Sequence, residues 1–433
     1  MHQLALELNA VLDNHIIGRS LSGMGRRLYF PRGIVAQSGE ASAKAHRHNA
    51  TVGLARAGGE PIMLPTMKEA IPSISPGDAV AYSTTAGAPQ LRDLWATRLR
   101  RLNPTLTDIQ TSRPVVVPGL TNGLFQVASL FVNPGDVVVL PDLFWGNYRL
   151  LFQQRFGAEI VTYPLFAAEG SGFNVSGLEE LLSQVTGKAL VVLNFPNNPT
   201  GYSPTSAEVA KIRAALKNRA ESGRDTIVVS DDAYFTFFFH EACERESVFA
   251  HVADLHERVL AIKVDGATKE EFSWGLRVGF VTAAAHGTSE AVFAALEKKL
   301  MGAVRSSISN SSTLGQTLVT KQLESASYSE EHAELQTLLA ARFARVREML
   351  DKKLPSHAAA GVLAPLPCNS GYFVALSCTG ISAEKLRLSL LEEGIGIIAV
   401  GDGLIRISFA GVDEEKIEEL FAAIFDGAAV LAA

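Results

Sequence analysis

Ala189-Leu190-Val191-Val192-Leu193-Asn194-Phe195-Pro196-Asn197-Asn198-Pro199-Thr200-Gly201 is the stretch on which the fold turns. Its first five residues are apolar without interruption. If extended, such a run has no polar face to give to water, so it must be covered on both sides; the Asn, Pro and Gly that follow are turn residues that end it. The same figure recurs on either side. Pro114-Val115-Val116-Val117 leads into Pro118 to Gly123, and Asp136-Val137-Val138-Val139-Leu140 into Pro141 to Tyr148. Thr226-Ile227-Val228-Val229 leads into Ser230-Asp231-Asp232-Ala233-Tyr234, and Arg258-Val259-Leu260-Ala261-Ile262 into Lys263 to Lys269. Stretches with helical spacing separate these runs. The alternation predicts an α/β fold, a doubly wound and mostly parallel sheet, in which ligands gather beyond the carboxyl ends of the strands.

At 433 residues the chain exceeds what one hydrophobic core usually supports, so two packed units are expected. Residues 76–315 carry the repeating figure and form the larger unit. Residues 316–433 read as a smaller α+β unit: helical spacing over 316–355, then short strands at Ser370–Leu376, Ile395–Val400 and Leu404–Phe409. Residues 1–75 show less pattern and are expected to be an arm that joins the small unit or embraces a partner.

Hydrophobic residues at 47% and charged residues at 19% fit a soluble globular protein. A net charge of -6 gives no reason to expect nucleic acid as a partner. Three cysteines are too few for a disulfide framework, which suits a reducing compartment. Met1 to Asn14 has the spacing of an amphipathic helix rather than a signal peptide, and no run of about 18 apolar residues occurs, so a cytoplasmic protein without a membrane partner is expected. His46 and His48, two apart, do not share a helix face; they are expected to be solvated surface histidines, and no metal is expected.

Each strand-end loop has an ordinary reading when taken alone. Gly119 to Gly123 is a tight turn, or a cradle for phosphate on free backbone amides. Asn198-Pro199-Thr200-Gly201 is a turn, Asp231 a cap, Lys269 a surface lysine, Arg277 a strand-edge charge and Trp145 a core side chain. Order and place join them, because a doubly wound sheet gathers all these strand ends into one cleft.

In that order the chain resembles the class I/II pyridoxal-phosphate-dependent aminotransferases of the aspartate aminotransferase fold type I. The likeness rests on Asn-Pro-Thr-Gly at 198–201, Asp-x-Ala-Tyr at 231–234, Lys269 followed at eight residues by Arg277 in Gly-x-Arg-x-Gly, and the late Arg406, and it spans nearly the whole chain. Residues 265–280 are similar to a bacterial subgroup described as aspartate/tyrosine/phenylalanine aminotransferases.

The resemblance implies pyridoxal 5'-phosphate bound as an imine on Lys269, whose amine later carries a proton from the substrate Cα. Lys263 is the nearby competitor, but it lies within the apparent strand. Asp231 is implied as the carboxylate that keeps the cofactor's ring nitrogen protonated, while Asp232 points the other way if the segment is extended. Tyr234 and Asn198 are implied as partners of the phenolic oxygen, and Trp145 as the stacking ring. The phosphate is assigned to the Leu120 and Thr121 amides, the Thr121 hydroxyl and Arg277, with Ser309 a further candidate. Tyr82 resembles a tyrosine that reaches the phosphate from a neighbouring subunit, which implies a homodimer with shared sites.

For the substrate, Arg406 is implied as the clamp on the α-carboxylate and Gly53 as the glycine that closes over it. Arg305 falls where dicarboxylate-specific members place an arginine across the dimer, which favours aspartate. Phe144, Tyr148 and Tyr372 leave a pocket for aromatic side chains open. Gly266 departs from the pattern, since many members have serine there, and Trp145 follows Pro141 by two residues more than usual. The reaction implied is ping-pong amino transfer to a 2-oxo acid such as 2-oxoglutarate. Another reaction on the same cofactor, β-decarboxylation or C–S lysis, stays open because the bond broken depends on a geometry no motif displays. A non-catalytic effector-binding module would need a basic helix-turn-helix that the first 75 residues lack. A nucleotide-binding protein would need a Gly-x-Gly-x-x-Gly after the first strand.

Overall fold

The structure is a computed structural model that describes residues 1–13, 16–31, 33–168, 170 and 172–433. The apolar runs become strands β1 (Val115–Val117), β2 (Val137–Pro141), β4 (Ala189–Asn194), β5 (Thr226–Asp231) and β6 (Val259–Gly266). Two more complete the sheet, β3 (Glu159–Tyr163) and β7 (Gly279–Ala285). The spatial order is β1-β7-β6-β5-β4-β2-β3. All pairings are parallel except those of β7, which runs antiparallel to both β1 and β6. The expected doubly wound, mostly parallel sheet is present. β3 escapes a search for unbroken apolar runs because it is an edge strand, half open to solvent and broken by Glu159 and Thr162.

Successive residues of each central strand go to opposite faces, and the core divides accordingly. Leu190, Val192, Ile227, Val229, Ile262 and Val264 belong to one apolar cluster. Val191, Leu193, Val228, Val259 and Ala261 belong to another, across the sheet. This period of two decides which face each strand-end side chain serves.

A second, antiparallel sheet is built from β8 (Leu363–Pro365), β9 (Phe373–Cys378), β10 (Ile398–Val400) and β11 (Leu404–Ser408), in the order β8-β9-β11-β10. Its core includes Ala50, so the N-terminal region packs with C-terminal residues. A two-residue parallel ladder, His48 with Ile395 and Asn49 with Gly396, fastens it there. That ladder corrects one expectation: His48 is not a solvated histidine but is 6% exposed, with Nε2 3.3 Å from Glu419 Oε1. The N-terminal helix covers Gln3–Leu12; Asn14 lies outside the described residues. No described helix is long and apolar enough to cross a membrane.

Candidate active site

On β5 the alternation places Ile227, Val229 and Asp231 on one face and Ser230 on the other, and Asp232 continues the second series. Asp231 is buried, and its Oδ2 accepts a 2.5 Å hydrogen bond from the Tyr148 hydroxyl. Its Oδ1 accepts a 3.3 Å bond from the Ala233 amide. Burial pushes the Asp231 carboxyl up to about 6, against the opposing pull of the Tyr148 bond. Asp232 is committed elsewhere: it forms a tight ion pair with Lys263 and accepts from Ser247 Oγ at 2.6 Å.

The same alternation sorts the two lysines. Lys263 sits inside β6 on the Asp232 face, 1% exposed, with Asp265 at 3.4 Å as a second counter-charge. Lys269 lies beyond the strand, on the short helical turn Ala267–Glu270, with Nζ 4.9 Å from the Tyr234 ring centroid. No carboxylate pairs with it among the described residues. Burial pulls its amine down to about 8; Asp231 opposes this and Arg277 reinforces it. A lysine with that environment is a competent nucleophile at moderately alkaline pH.

After β1 the chain turns at Pro118-Gly119, and the helix α1 (Leu120–Phe131) begins at Leu120, within the stretch Gly119 to Gly123 read as a turn. Leu120 and Thr121 therefore occupy its first turn, where amides have no partner within the helix. Gly119 has φ 82°. A Cβ on it would lie 2.3 Å from Arg277 Nη2, so the guanidinium is laid directly over the helix start. Arg277 is not a strand-edge residue: it holds a left-handed conformation, φ 54°, between a short helical turn and β7. The helix N-terminus and Arg277 together make a cradle for an anion.

Arg406, on β11, is 1% exposed. Its Nη1 donates to Asn198 Oδ1 at 2.9 Å and its Nη2 to the Thr51 carbonyl at 2.6 Å, while Nε has no partner. Among the described residues no carboxylate pairs with this guanidinium, and burial pulls its pKa down to about 10. A buried cation without a counter-ion is costly, so the site is built to receive an anion. Gly53 lies close by: a Cβ there would stand 2.9 Å from both Tyr234 Oη and Phe373 Cζ. Tyr234 is buried edge-on to Tyr372, at 5.3 Å between ring centroids.

Trp145 packs edge-on against Tyr148, ring centroids 5.6 Å apart. With Phe144, Asn198, Ile34 and Val35 it lines a cavity of about 440 Å³. Of the three aromatics considered for a side-chain pocket, only Phe144 is at that cavity. Tyr148 is spent on Asp231, and Tyr372 is fully buried with its hydroxyl 3.4 Å from the Lys269 carbonyl.

The structure of one chain brings together Lys269, Asp231, Tyr234, Asn198, Arg406, Gly53, Arg277, Leu120 and Thr121. It does not bring in Tyr82, which is 93% exposed, or Arg305, exposed in the last turn of the helix Glu290–Ser307. Ser309 follows that helix with φ 70°. The departure at Gly266 has a steric cause: a Cβ would lie 2.6 Å from the Val278 carbonyl across the β6–β7 ladder, so a serine cannot be placed without moving that ladder. Sequence reasoning missed Tyr148 as the partner of Asp231. It also missed Arg98, which holds Glu270 at 2.8 Å and Glu271 at 2.9 Å directly after Lys269. Nothing in the sequence around Tyr148 or Arg98 marks either pairing.

Residues 52–424 match the profile of the family described as Aminotransferase class I and II. The aspartate/prephenate aminotransferase of Thermus thermophilus is 28% identical over 355 residues, covering 79% of this chain and 83% of that one. The cytoplasmic aspartate aminotransferase of Saccharomyces cerevisiae is 24% identical over 375 residues, covering 84% and 86%. In fold, the crystal structure of an aminotransferase from Anaerococcus prevotii superposes with a TM-score of 0.80 at 22% identity, covering 92% of this chain and 98% of that one. With a family profile matched over most of its length, this chain belongs to the class I and II aminotransferases and is an enzyme, a transaminase.

Proposed function

We propose that the chain moves the amino group of an L-amino acid to a 2-oxo acid such as 2-oxoglutarate by a ping-pong sequence, with Lys269 as nucleophilic amine and proton carrier. The observation that carries this reading is Arg406, a buried guanidinium lacking a carboxylate partner, held against Asn198 in the same cleft as Lys269 and Asp231.

Family membership implies pyridoxal 5'-phosphate, and the residues fit it: a phosphate cradle, a buried carboxylate and an uncompensated amine. When bound, the cofactor supplies an electron sink for the pair released at the substrate Cα. The chain's residues do the rest. Leu120 and Thr121 amides, the Thr121 hydroxyl and Arg277 would hold the phosphate, and Trp145 would cover the ring. Asp231, kept ionised by Tyr148, would hold a proton on the ring nitrogen. Asn198 spends its Oδ1 on Arg406, which leaves its Nδ2 to donate, with the Tyr234 hydroxyl, to the phenolic oxygen. Lys269 Nζ would take the proton from the substrate Cα and deliver it to the cofactor's C4′ carbon. Arg406 pairs with the α-carboxylate in two-pronged fashion, and Gly53 leaves room above it.

Aspartate is the preferred donor in this reading, with Arg305 reaching the distal carboxylate and Tyr82 the phosphate from the second subunit of a homodimer. The strong exposure of Tyr82 supports that role. Residues 76–315 act as the cofactor-binding unit and 316–433, joined by part of 1–75, as the smaller one. The cytoplasm is the expected location.

Borohydride treatment of the cofactor-loaded protein followed by peptide mass analysis tests the assignment: the cofactor mass is expected on Lys269, and its appearance on another lysine, or on none, overturns it. Incubation with L-aspartate or L-phenylalanine and 2-oxoglutarate is expected to yield glutamate; consumption of the donor without glutamate would mean a lyase or decarboxylase.

A further inference from the structure

A second cavity, of about 460 Å³, opens between the helix Pro89–Leu102, the loop that follows β5 and the helix Tyr328–Glu348. None of the residues assigned above to cofactor or substrate lines it. Its charged wall is of one sign: Arg98, Arg101 and Arg245 face it, and no Asp or Glu does.

The three guanidiniums differ in what they already hold. Arg98 is spent, paired with Glu270 and Glu271 and thereby part of the floor. Arg245 donates from Nη1 to the Phe238 carbonyl at 3.0 Å and from Nη2 to the His240 carbonyl at 3.1 Å. Those bonds fix its position, 5.6 Å from the Phe238 ring centroid, without neutralising it. Among the described residues neither Arg245 nor Arg101 is paired with a carboxylate. His332, also on the wall, gives no negative charge; its Nε2 pairs with the Glu270 carbonyl at 2.7 Å.

Beside these cations the wall is apolar, formed by Leu102 and by Phe235 and Phe238, whose rings meet edge to face with centroids 5.6 Å apart. Thr236, between the two phenylalanines, holds φ 78°, an uncommon conformation for a β-branched residue and the kind that persists where surroundings enforce it. The volume lies in the range of small-molecule sites. Two like charges facing a concave, partly apolar space repel one another, and an anion placed between them converts that repulsion into paired attraction, most effectively if its remainder is flat and apolar.

We infer that this cavity is a second binding site, for a small carboxylic acid bearing an aromatic ring, with Arg101 and Arg245 taking the carboxylate and Phe235 and Phe238 the ring. It is separate from the substrate site, so its test must keep the two apart.

Calorimetric titration of the cofactor-loaded protein with phenylacetate does so. Two sites per chain are expected in the wild type. Arg406→Gln is expected to leave one of them, and adding Arg101→Ala with Arg245→Ala to that background is expected to weaken it at least tenfold. The same pair of substitutions in the wild-type chain is expected to leave the transamination rate unchanged and to remove one of the two sites. A single site in the wild type that vanishes with Arg406→Gln overturns the inference, as does an affinity indifferent to Arg101 and Arg245. Inorganic phosphate binding there as tightly as phenylacetate overturns the class of ligand assigned.

Discussion

Tyr148 and Asp231 are joined by a 2.5 Å hydrogen bond in which the phenol donates to a buried carboxylate. The bond favours the charged form of Asp231, whose pKa burial has raised to about 6, and so keeps it ionised at neutral pH. In its proposed role Asp231 must be ionised to hold a ring-nitrogen proton, so cofactor affinity is expected to fall as pH drops through about 6. Tyr148→Phe removes a charge-assisted bond worth roughly 1.5–3 kcal/mol, which shifts that acid limb upward by about one to two pH units. Cofactor affinity measured against pH in both proteins checks this; an unmoved limb would mean that Tyr148 does not tune Asp231.

Lys263 is the obvious rival to Lys269 in the sequence, and it can be removed without touching the chemistry. Lys263→Met leaves Asp232 and Asp265 buried without their shared counter-charge, a loss expected to cost about 3–5 kcal/mol in denaturant unfolding. The cofactor is still expected on Lys269 after borohydride reduction. Lys269→Met reverses both results: no captured cofactor, and no comparable loss of stability.

In the proposed reading Arg406 recognises the α-carboxylate, which every amino acid has in common. Arg406→Lys keeps the charge but loses the planar fork, so kcat/KM is expected to drop roughly ten- to hundredfold, about 1.5–3 kcal/mol, for aspartate and phenylalanine alike. Arg305→Ala is expected to harm aspartate turnover selectively. Equal losses with both donors would remove Arg305 from substrate selection.

Much of the fold is legible in the sequence. Runs such as Val137–Leu140 and Ala189–Leu193 announce themselves because a strand covered on both faces needs no polar residue, and their order alone puts Asn198, Asp231 and Lys269 at one edge of the sheet. The direction of Asp232, away from Asp231, follows from the period of two. Glu159–Tyr163, an exposed edge, lacks that signal, and the antiparallel direction of β7 depends on where its connections run rather than on composition. Tyr148 and Arg98 find their partners across 83 and 172 residues of chain, and no local pattern encodes such pairings. Tyr82 and Arg305 are exposed in the chain, and the roles proposed for them lie across a homodimer.

Gly119 is where a methyl group should matter most. Gly119→Ala introduces a side chain at φ 82°, a strain of about 1–2 kcal/mol, and pushes against Arg277 at the helix start. The protein is expected to fold with a modestly lowered melting temperature but to release cofactor on dialysis at least ten times faster. Unchanged release would mean that Arg277 and the first turn of α1 do not form the phosphate site.

Asp231 and Asp232 are neighbours in the chain yet serve opposite sides of one sheet, the first facing Tyr148 and the second locked to Lys263. Inserting or deleting a single residue in β5 would exchange them, presenting Lys263's partner to the cleft and hiding the acid the cleft requires. β5 is therefore a segment expected to tolerate replacement of its letters but not a change in their number, which only the connecting loops can absorb.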